Sequence, residues 1–220
     1  MNQISYWIVS ALAVVMAITV HEWGHALASD LLGDPTPRRA GRVSLNPLRH
    51  LDPVGTLALL FFRVGWAKPV PVDWRYYKNP RLGMVLTSLA GVGMNLLTAF
   101  LFSFGLVFMA LHSRLSPLGL QAGLSFVAIN CALVVCNLMP IPPLDGFRFW
   151  AEVLPRGITE PIKRFSVKIG LYQLVYGSYG SMVCLVILML FGRVLMVPLM
   201  YRLSQGVWNS ALRLGLALFQ

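Results

Sequence analysis

The chain has 220 residues, of which 57% are hydrophobic and only 12% are charged. Soluble domains contain about 45–50% apolar and about 25% charged residues. The composition therefore excludes intrinsic disorder and an ordinary water-soluble domain, and it indicates a membrane-embedded protein. Lysine and arginine outnumber aspartate and glutamate by 18 to 8. In a membrane protein this excess reflects basic loops kept in the cytoplasm, so we expect no nucleic-acid partner.

The first apolar stretch, residues 4–32, predicts a membrane-spanning helix that ends at Gly33-Asp34-Pro35. The first basic residue is Arg38, so the stretch lacks the basic start of a signal peptide. We therefore expect this helix to be retained in the membrane.

Residues 33–81 are basic and rich in proline, with seven of the 14 prolines and nine of the 18 lysines and arginines. Within them, residues 54–62 are apolar but too few to cross a bilayer as a helix. In the neighbouring residues 65–72, Pro69 and Pro71 prevent a regular helix. We expect a re-entrant loop or a short β-hairpin here, shielded by protein or water.

Two further apolar stretches, residues 82–111 and 120–138, predict membrane-spanning helices. A fourth span is expected within residues 169–203. The tail, residues 204–220, predicts an amphipathic helix at the membrane interface.

These elements predict an all-α polytopic membrane protein with a three-helix core. Residues 1–150 are expected to form the membrane-embedded core. Residues 151–220 are expected to form a C-terminal membrane region with at least one further membrane-spanning helix.

The basic residues are distributed unevenly between the three core spans. Nine follow the first span, only Arg114 lies between the second and third, and five lie in residues 146–168. Because basic loops remain in the cytoplasm, we expect the N-terminus outside and both basic segments in the cytoplasm. This alternation requires that residues 54–62 do not cross the membrane.

The first span carries the motif His21-Glu22-Trp23-Gly24-His25, an HExxH sequence. Histidines four residues apart project from one face of a helix, so both imidazoles can bind one Zn²⁺. The intervening glutamate is close enough to act as a general base. The alternative is a pair of histidines bonded to backbone with Glu22 reaching the interface. It is disfavoured because a buried glutamate without a partner costs several kcal/mol.

The motif lies deep in the predicted first span. From Ile4 to His21 the helix rises about 26 Å, so the motif is expected in the cytoplasmic third of the bilayer.

A catalytic zinc site needs a third protein ligand. The remaining candidates are histidines and carboxylates: His50, His112, Asp30, Asp34, Asp52, Asp73, Asp145, Glu152 and Glu160. His112 is expected at the outer end of its span, far from His21. Asp145 follows the third core span at its cytoplasmic end, where three prolines break the helix and Gly146 permits a tight bend. From its position alone, Asp145 is either a metal ligand or the cap of the next helix.

The HEWGH motif in the first long span, together with the distal NLMPIPPLDG segment, resembles the site-2 protease family of intramembrane zinc metalloproteases. The resemblance extends to about residue 150. It implies that His21, His25 and Asp145 bind Zn²⁺ and that Glu22 is the catalytic base. It also implies that Asn137 binds the substrate or a reaction intermediate.

Two further segments resemble elements of the family. The first, GVGMN, is similar to its G-x-x-x-N element and implies that Asn95 also binds the substrate or an intermediate. The second, residues 65–72, resembles the membrane-inserted loop or hairpin beside the active site and implies substrate contacts from Gly65, Trp66, Ala67 and Lys68.

Residues 65–72 have two interpretations. As an exposed edge, they would pair with an extended substrate through the backbone nitrogens of Ala67, Lys68, Val70 and Val72. As a membrane anchor, they would be held at the interface by Trp66 and Trp74.

The expected function is a zinc-dependent endopeptidase that cleaves membrane-spanning segments of single-pass membrane proteins in regulated intramembrane proteolysis. The resemblance implies a substrate such as an anti-sigma factor, in a bacterial or archaeal cell membrane. The sequence holds no inserted PDZ domain and no CBS domain, so substrate capture is expected to use the bilayer-embedded region or a separate regulatory partner.

Two other functions compete with proteolysis. A non-proteolytic membrane metal-binding or transport protein is one, although the paired repeats typical of transporters are missing. A pseudoenzyme that chaperones membrane proteins is the other, and the intact Glu22 argues against it.

Overall fold

The computed structural model describes residues 3–62, 66–141, 144–155 and 180–219. These residues contain seven α-helices, labelled in chain order α1 (Gln3–Leu31), α2 (Thr36–Arg39), α3 (Pro53–Phe62), α4 (Pro80–Leu111), α5 (Pro117–Asn137), α6 (Asp145–Val153) and α7 (Gly180–Phe219). Short 3₁₀ turns lie at Pro47–Arg49 and Trp74–Tyr76.

Helices α1, α4 and α5 are long and apolar enough to cross a membrane, which confirms the predicted all-α polytopic fold. Their starts differ from the predicted ones by one to three residues, and for α4 and α5 polar caps precede the apolar stretches. The Asn79 side chain accepts a hydrogen bond from the Leu82 nitrogen at the start of α4. The Ser116 side chain accepts one from the Gly119 nitrogen at the start of α5.

Helix α4 lies at the centre and packs against α1, α5, α6 and α7. A buried apolar cluster of Ala99, Val127, Cys131 and Val207 joins α4, α5 and α7. Helices α1 and α4 approach closely at Gly24, where an added Cβ would lie 2.9 Å from the carbonyl oxygen of Ala90. This close contact brings the HExxH face of α1 against α4.

Helix α7 joins part of the predicted fourth span to the predicted tail helix, because it continues without a break to Phe219. The predicted tail is therefore not a separate helix. One face of it packs inward, since Val207 and Ala211, one turn apart, are buried. The remainder of the predicted span, residues 169–179, lies outside the described residues.

The basic connection between α1 and α4 contains α3, whose ten residues are too few to cross a bilayer. Residues 66–73, here called the proline segment, follow it and are not helical. The predicted β-hairpin does not form in the described part of this region. Its place is taken by one antiparallel bridge between Leu51 and Ala67, supported by a 2.8 Å hydrogen bond from the Lys68 nitrogen to the His50 oxygen.

Candidate metal site and active site

Three ligand-type atoms meet where α1 faces the start of α6. Nε2 of His21, Nε2 of His25 and Oδ2 of Asp145 lie 3.0 Å from one another. Both histidines are buried, and the carboxylate is nearly so. Among the described residues, these three form the group that can hold a metal ion.

Asp145 reaches the histidines because α6 is held against the residue that follows α5 and the start of α4. Nε1 of Trp150 donates a 3.0 Å hydrogen bond to the carbonyl of Leu138. Nε of Arg81 donates a 2.7 Å hydrogen bond to the carbonyl of Glu152. Asp145 is the first residue of α6, and the side-chain hydrogen bonds recorded for it within the described residues run to His21 and His25. Of its two interpretations, the geometry favours the metal ligand.

The outer nitrogen of each histidine has a fixed partner. Nδ1 of His25 lies 2.7 Å from the carbonyl oxygen of Thr87, which can only accept, so Nδ1 carries the proton. Nδ1 of His21 lies 2.6 Å from Oδ1 of Asn95. The Asn95 amide is oriented by its NH₂ group, which donates to the Ala17 carbonyl at 3.0 Å. Both Nε2 atoms therefore point their lone pairs inward.

The inward-facing atoms of the site fit a zinc ion. Two imidazole lone pairs and one carboxylate oxygen converge, and such a set of acceptors requires a positive charge between them. Two histidines and a carboxylate are a typical donor set of catalytic zinc. Ligand atoms around tetrahedral zinc lie about 3.3 Å apart, close to the 3.0 Å observed here. His21, His25 and Asp145 therefore form a group that can hold a zinc ion.

The charge of Asp145 is maintained by its neighbours. Burial favours its neutral form, but when no metal is bound a proton on Nε2 of His21 or His25 donates to the carboxylate, and these protonated histidines hold the pKa of the carboxyl well below its usual range. A metal ion between the three side chains would replace that proton and supply the same positive charge.

A cavity opens onto the three ligands and contains the predicted catalytic base. Glu22 is half-buried in its wall, beside the histidines. Asn137 also lines it and donates one hydrogen bond from Nδ2 to the Leu133 carbonyl at 3.1 Å. Within the described residues its second amide hydrogen has no acceptor, so it is available to a ligand. The complete lining is His21, Glu22, His25, Pro69, Val70, Val72, Met84, Thr87, Ser88, Asn137, Leu144, Asp145 and Arg148.

Asn95 does not lie on this cavity. It is fully buried behind His21, and its NH₂ group donates to Ala17 and, at 2.8 Å, to Oδ1 of Asn130. With its oxygen bonded to His21, the whole side chain is occupied. This placement favours a role for Asn95 in orienting His21 over its predicted contact with the substrate.

The proline segment contributes to the cavity through only part of the predicted set, in which Val70 and Val72 are included as pairing residues. Pro69, Val70 and Val72 line it, whereas Trp66, Ala67 and Lys68 do not. The Lys68 nitrogen, predicted to bind the substrate, donates to His50 instead. Gly65 lies outside the described residues.

The other proposed third ligands have separate partners. Nε2 of His50 lies 2.6 Å from the Ser44 oxygen, and Nδ1 of His112 lies 2.8 Å from the Phe108 oxygen. Asp30 forms an ion pair with Arg38. Asp34 accepts hydrogen bonds from Ser29, Thr36 and Asp73. Glu160 lies outside the described residues.

Sequence reasoning missed two supports of the site. Thr87 acts through its backbone carbonyl, and any residue type at this position would supply the same group. Asn130 supports Asn95 from α5 and is itself anchored by a 2.9 Å bond to the Phe126 carbonyl. A polar residue within an apolar span is a signal that could have identified Asn130.

Comparisons with known proteins find relatives that are named as candidate zinc metalloproteases. The chain is 36% identical over 178 residues to YwhC of Bacillus subtilis, named as a candidate zinc metalloprotease, with 76% of this chain and 81% of the relative covered. It is 33% identical over 142 residues to Rip2 of Mycobacterium tuberculosis, similarly named, with 60% of this chain and 52% of the relative covered. No family model matches the chain. No solved structure matches it either.

Proposed function

This chain belongs to the site-2 protease family of zinc metalloproteases, and we propose that it cleaves the membrane-spanning segments of single-pass membrane proteins in regulated proteolysis. One observation carries the proposal. The ligand-type atoms of His21, His25 and Asp145 converge beside Glu22. His21, Glu22 and His25 all lie on α1, which is long enough to span the bilayer. A metal site placed there acts on peptide bonds within or at the edge of the membrane.

The depth of the site supports this substrate class. From Gln3 to His21, α1 rises about 27 Å, and the hydrocarbon core is about 30 Å thick. The metal site therefore lies near one boundary of the bilayer, within reach of water. We assign that boundary to the cytoplasmic face of a cell membrane, because nine basic residues follow α1 and only Arg114 lies between α4 and α5.

The residues around the cavity divide the chemistry of hydrolysis between them. Zinc held by His21, His25 and Asp145 supplies Lewis acidity that polarises the scissile carbonyl and favours deprotonation of water. Glu22 accepts a proton from the attacking water and passes it to the leaving nitrogen. Asn137 donates its remaining amide hydrogen to the developing oxyanion or to the substrate backbone.

The substrate segment must be extended before it is cut. Carbonyls within a helix are hydrogen-bonded and shielded by the neighbouring turns. The backbone nitrogens of Val70 and Val72, in the cavity wall, have no hydrogen-bond partner among the described residues. We propose that these two nitrogens pair with an unwound substrate, as an added strand pairs with a sheet edge. Pro69 and Pro71 cannot donate, which limits pairing to alternate residues.

The test is cleavage by purified protein in lipid vesicles. Wild-type, Glu22→Gln and Glu152→Gln proteins are incubated with a library of single-pass membrane segments, and the products are identified by mass spectrometry. We expect cuts within the apolar segments from the wild type and Glu152→Gln, and none from Glu22→Gln. Zinc content should be equal in all three.

Two results would contradict the proposal. Equal products from Glu22→Gln and the wild type would remove Glu22 from the reaction. Full zinc content with no cleavage of any segment by the wild type would favour a metal-handling protein.

A further inference from the structure

Arg42 is an unusual arginine within the basic connection, because only 3% of it is exposed. Charged side chains are rarely buried to this extent unless they are paired. The basic character of the connection between α1 and α4 accounts for the presence of an arginine here, but not for its burial. The burial of Arg42 is accounted for by the hydrogen bonds of its guanidinium.

The Arg42 guanidinium donates to three backbone carbonyls. Nη1 donates to the carbonyl of Arg49. Nη2 donates to the carbonyls of Lys68 and Pro69, both at 2.6 Å. The fork of an arginine can hold several acceptors in fixed directions, which a lysine ammonium cannot do. Arg42 thus joins the 3₁₀ turn Pro47–Arg49 to the proline segment.

The same stretch of the proline segment forms one wall of the active-site cavity. Pro69, whose carbonyl Arg42 holds, lines the cavity, and Val70 and Val72 follow it there. On the preceding residue, the Lys68 nitrogen is held by the His50 carbonyl at 2.8 Å. Hydrogen bonds therefore hold the cavity wall at Lys68 and Pro69, just before the backbone nitrogens of Val70 and Val72, which have no partner among the described residues.

We propose that Arg42 is a positioning residue that holds residues 69–72 at the register required to bind the substrate backbone. The inference rests on the proposed function, because it assigns a role to the wall that the substrate contacts. It differs from a general structural role in one respect. Arg42 touches neither the zinc ligands nor their partners, so the metal site should not depend on it.

The diagnostic variant is Arg42→Lys, with Arg39→Lys as the matched control. Lysine preserves the charge but cannot reach three carbonyls in fork geometry. Arg39 is exposed, lies three residues away and makes no recorded contact with the proline segment. Loss of one charge-assisted hydrogen bond corresponds to about a tenfold change in an equilibrium constant. We expect Arg42→Lys to raise KM about tenfold with little change in kcat, and Arg39→Lys to match the wild type.

The kinetics are measured on the best-cleaved segment from the library, with zinc content determined on the same samples. Hydrogen–deuterium exchange of residues 66–73 is measured without any substrate. We expect full zinc in all proteins and about tenfold faster exchange of the Lys68 amide in Arg42→Lys only.

Each other outcome overturns the inference. Unchanged exchange of the Lys68 amide would show that Arg42 does not hold the proline segment. Loss of zinc, or a fall in kcat with KM unchanged, would make Arg42 a support of the fold or of the metal site. If the wild type cleaves no segment, the proposed function fails, and the exchange measurement alone still decides whether Arg42 holds residues 69–72.

Discussion

Oδ1 of Asn95 lies 2.6 Å from Nδ1 of His21, and this contact ties the middle of α4 to a proposed zinc ligand on α1. The asparagine is in turn held by the Ala17 carbonyl and by Asn130. Three helices therefore determine the orientation and the tautomer of one imidazole. Partners of this kind raise metal affinity by presenting the ligand in its binding form.

Replacing Asn95 should weaken zinc binding. In Asn95→Ala, His21 loses the acceptor for its Nδ1 proton, and we expect about a 10–100-fold loss of zinc affinity, as for other partners of metal-bound histidines. The measurement is a competition titration with a zinc chelator. The control is Asn137→Ala, which should keep its zinc affinity but lose activity. Equal affinities in Asn95→Ala and the wild type would refute the orienting role.

A second prediction concerns the space beside the histidines. A Cβ added at Gly91 would lie 2.5 Å from Nε2 of His25 and 2.8 Å from Cε1 of His21. A Cβ at Gly93, two residues along the same helix, would meet nothing within 4 Å. We therefore expect Gly91→Ala to displace the imidazoles and lose most of its zinc, whereas Gly93→Ala retains it. Elemental analysis of the two purified variants gives the answer, and full zinc in Gly91→Ala would show that the histidines adapt.

The spans and the HExxH face could be predicted from the sequence because both depend on local periodicity and composition. Helical spacing alone brings His21 and His25 to one face of α1. Asp145 could not be separated from a helix cap in this way, since its role depends on contact with residues 120 and 124 positions away. The family resemblance supplied that role, and the hydrogen bonds around α6 explain it physically.

Only part of the structure of the proline segment could be predicted from the sequence. Its prolines predicted a non-helical stretch beside the active site, and that stretch is present. Which of its residues face the cavity is decided by hydrogen bonds from Arg42 and to His50, and neither leaves a pattern in the sequence. Of the predicted backbone donors, the Lys68 nitrogen is bonded to His50, whereas Val70 and Val72 lie on the cavity.

The orientation in the membrane predicts opposite labelling of two exposed positions. Arg75 lies in the basic connection, and Arg114 lies between α4 and α5. Single cysteines are introduced at each position after Cys131, Cys136 and Cys184 are replaced by alanine. We expect a membrane-impermeant thiol reagent to label position 114 from outside intact cells and position 75 only after lysis. Labelling of both from the same side would overturn the topology.

A fourth prediction concerns acid stability. Burial raises the pKa of Asp34, but hydrogen bonds from Thr36, Asp73 and Ser29 outweigh it, and the pKa lies below its usual value. A carboxyl with a depressed folded-state pKa stabilises the protein fully above its unfolded pKa of about 4, and this contribution is lost as the pH falls. We expect Asp34→Asn to have a lower Tm at pH 6 and the difference to shrink below about pH 4. A difference independent of pH would show that the charge of Asp34 contributes nothing.

The most direct test of the metal site is zinc X-ray absorption on Asp145→Cys, with Asp73→Cys as the control. Zinc–sulfur distances of about 2.3 Å are easily separated from zinc–nitrogen and zinc–oxygen distances of about 2.0–2.2 Å. We predict a shell of nitrogen and oxygen alone in the wild type and in Asp73→Cys, and one sulfur at about 2.3 Å in Asp145→Cys. Fully bound zinc without a sulfur neighbour in Asp145→Cys would contradict the assignment of Asp145 as the third ligand.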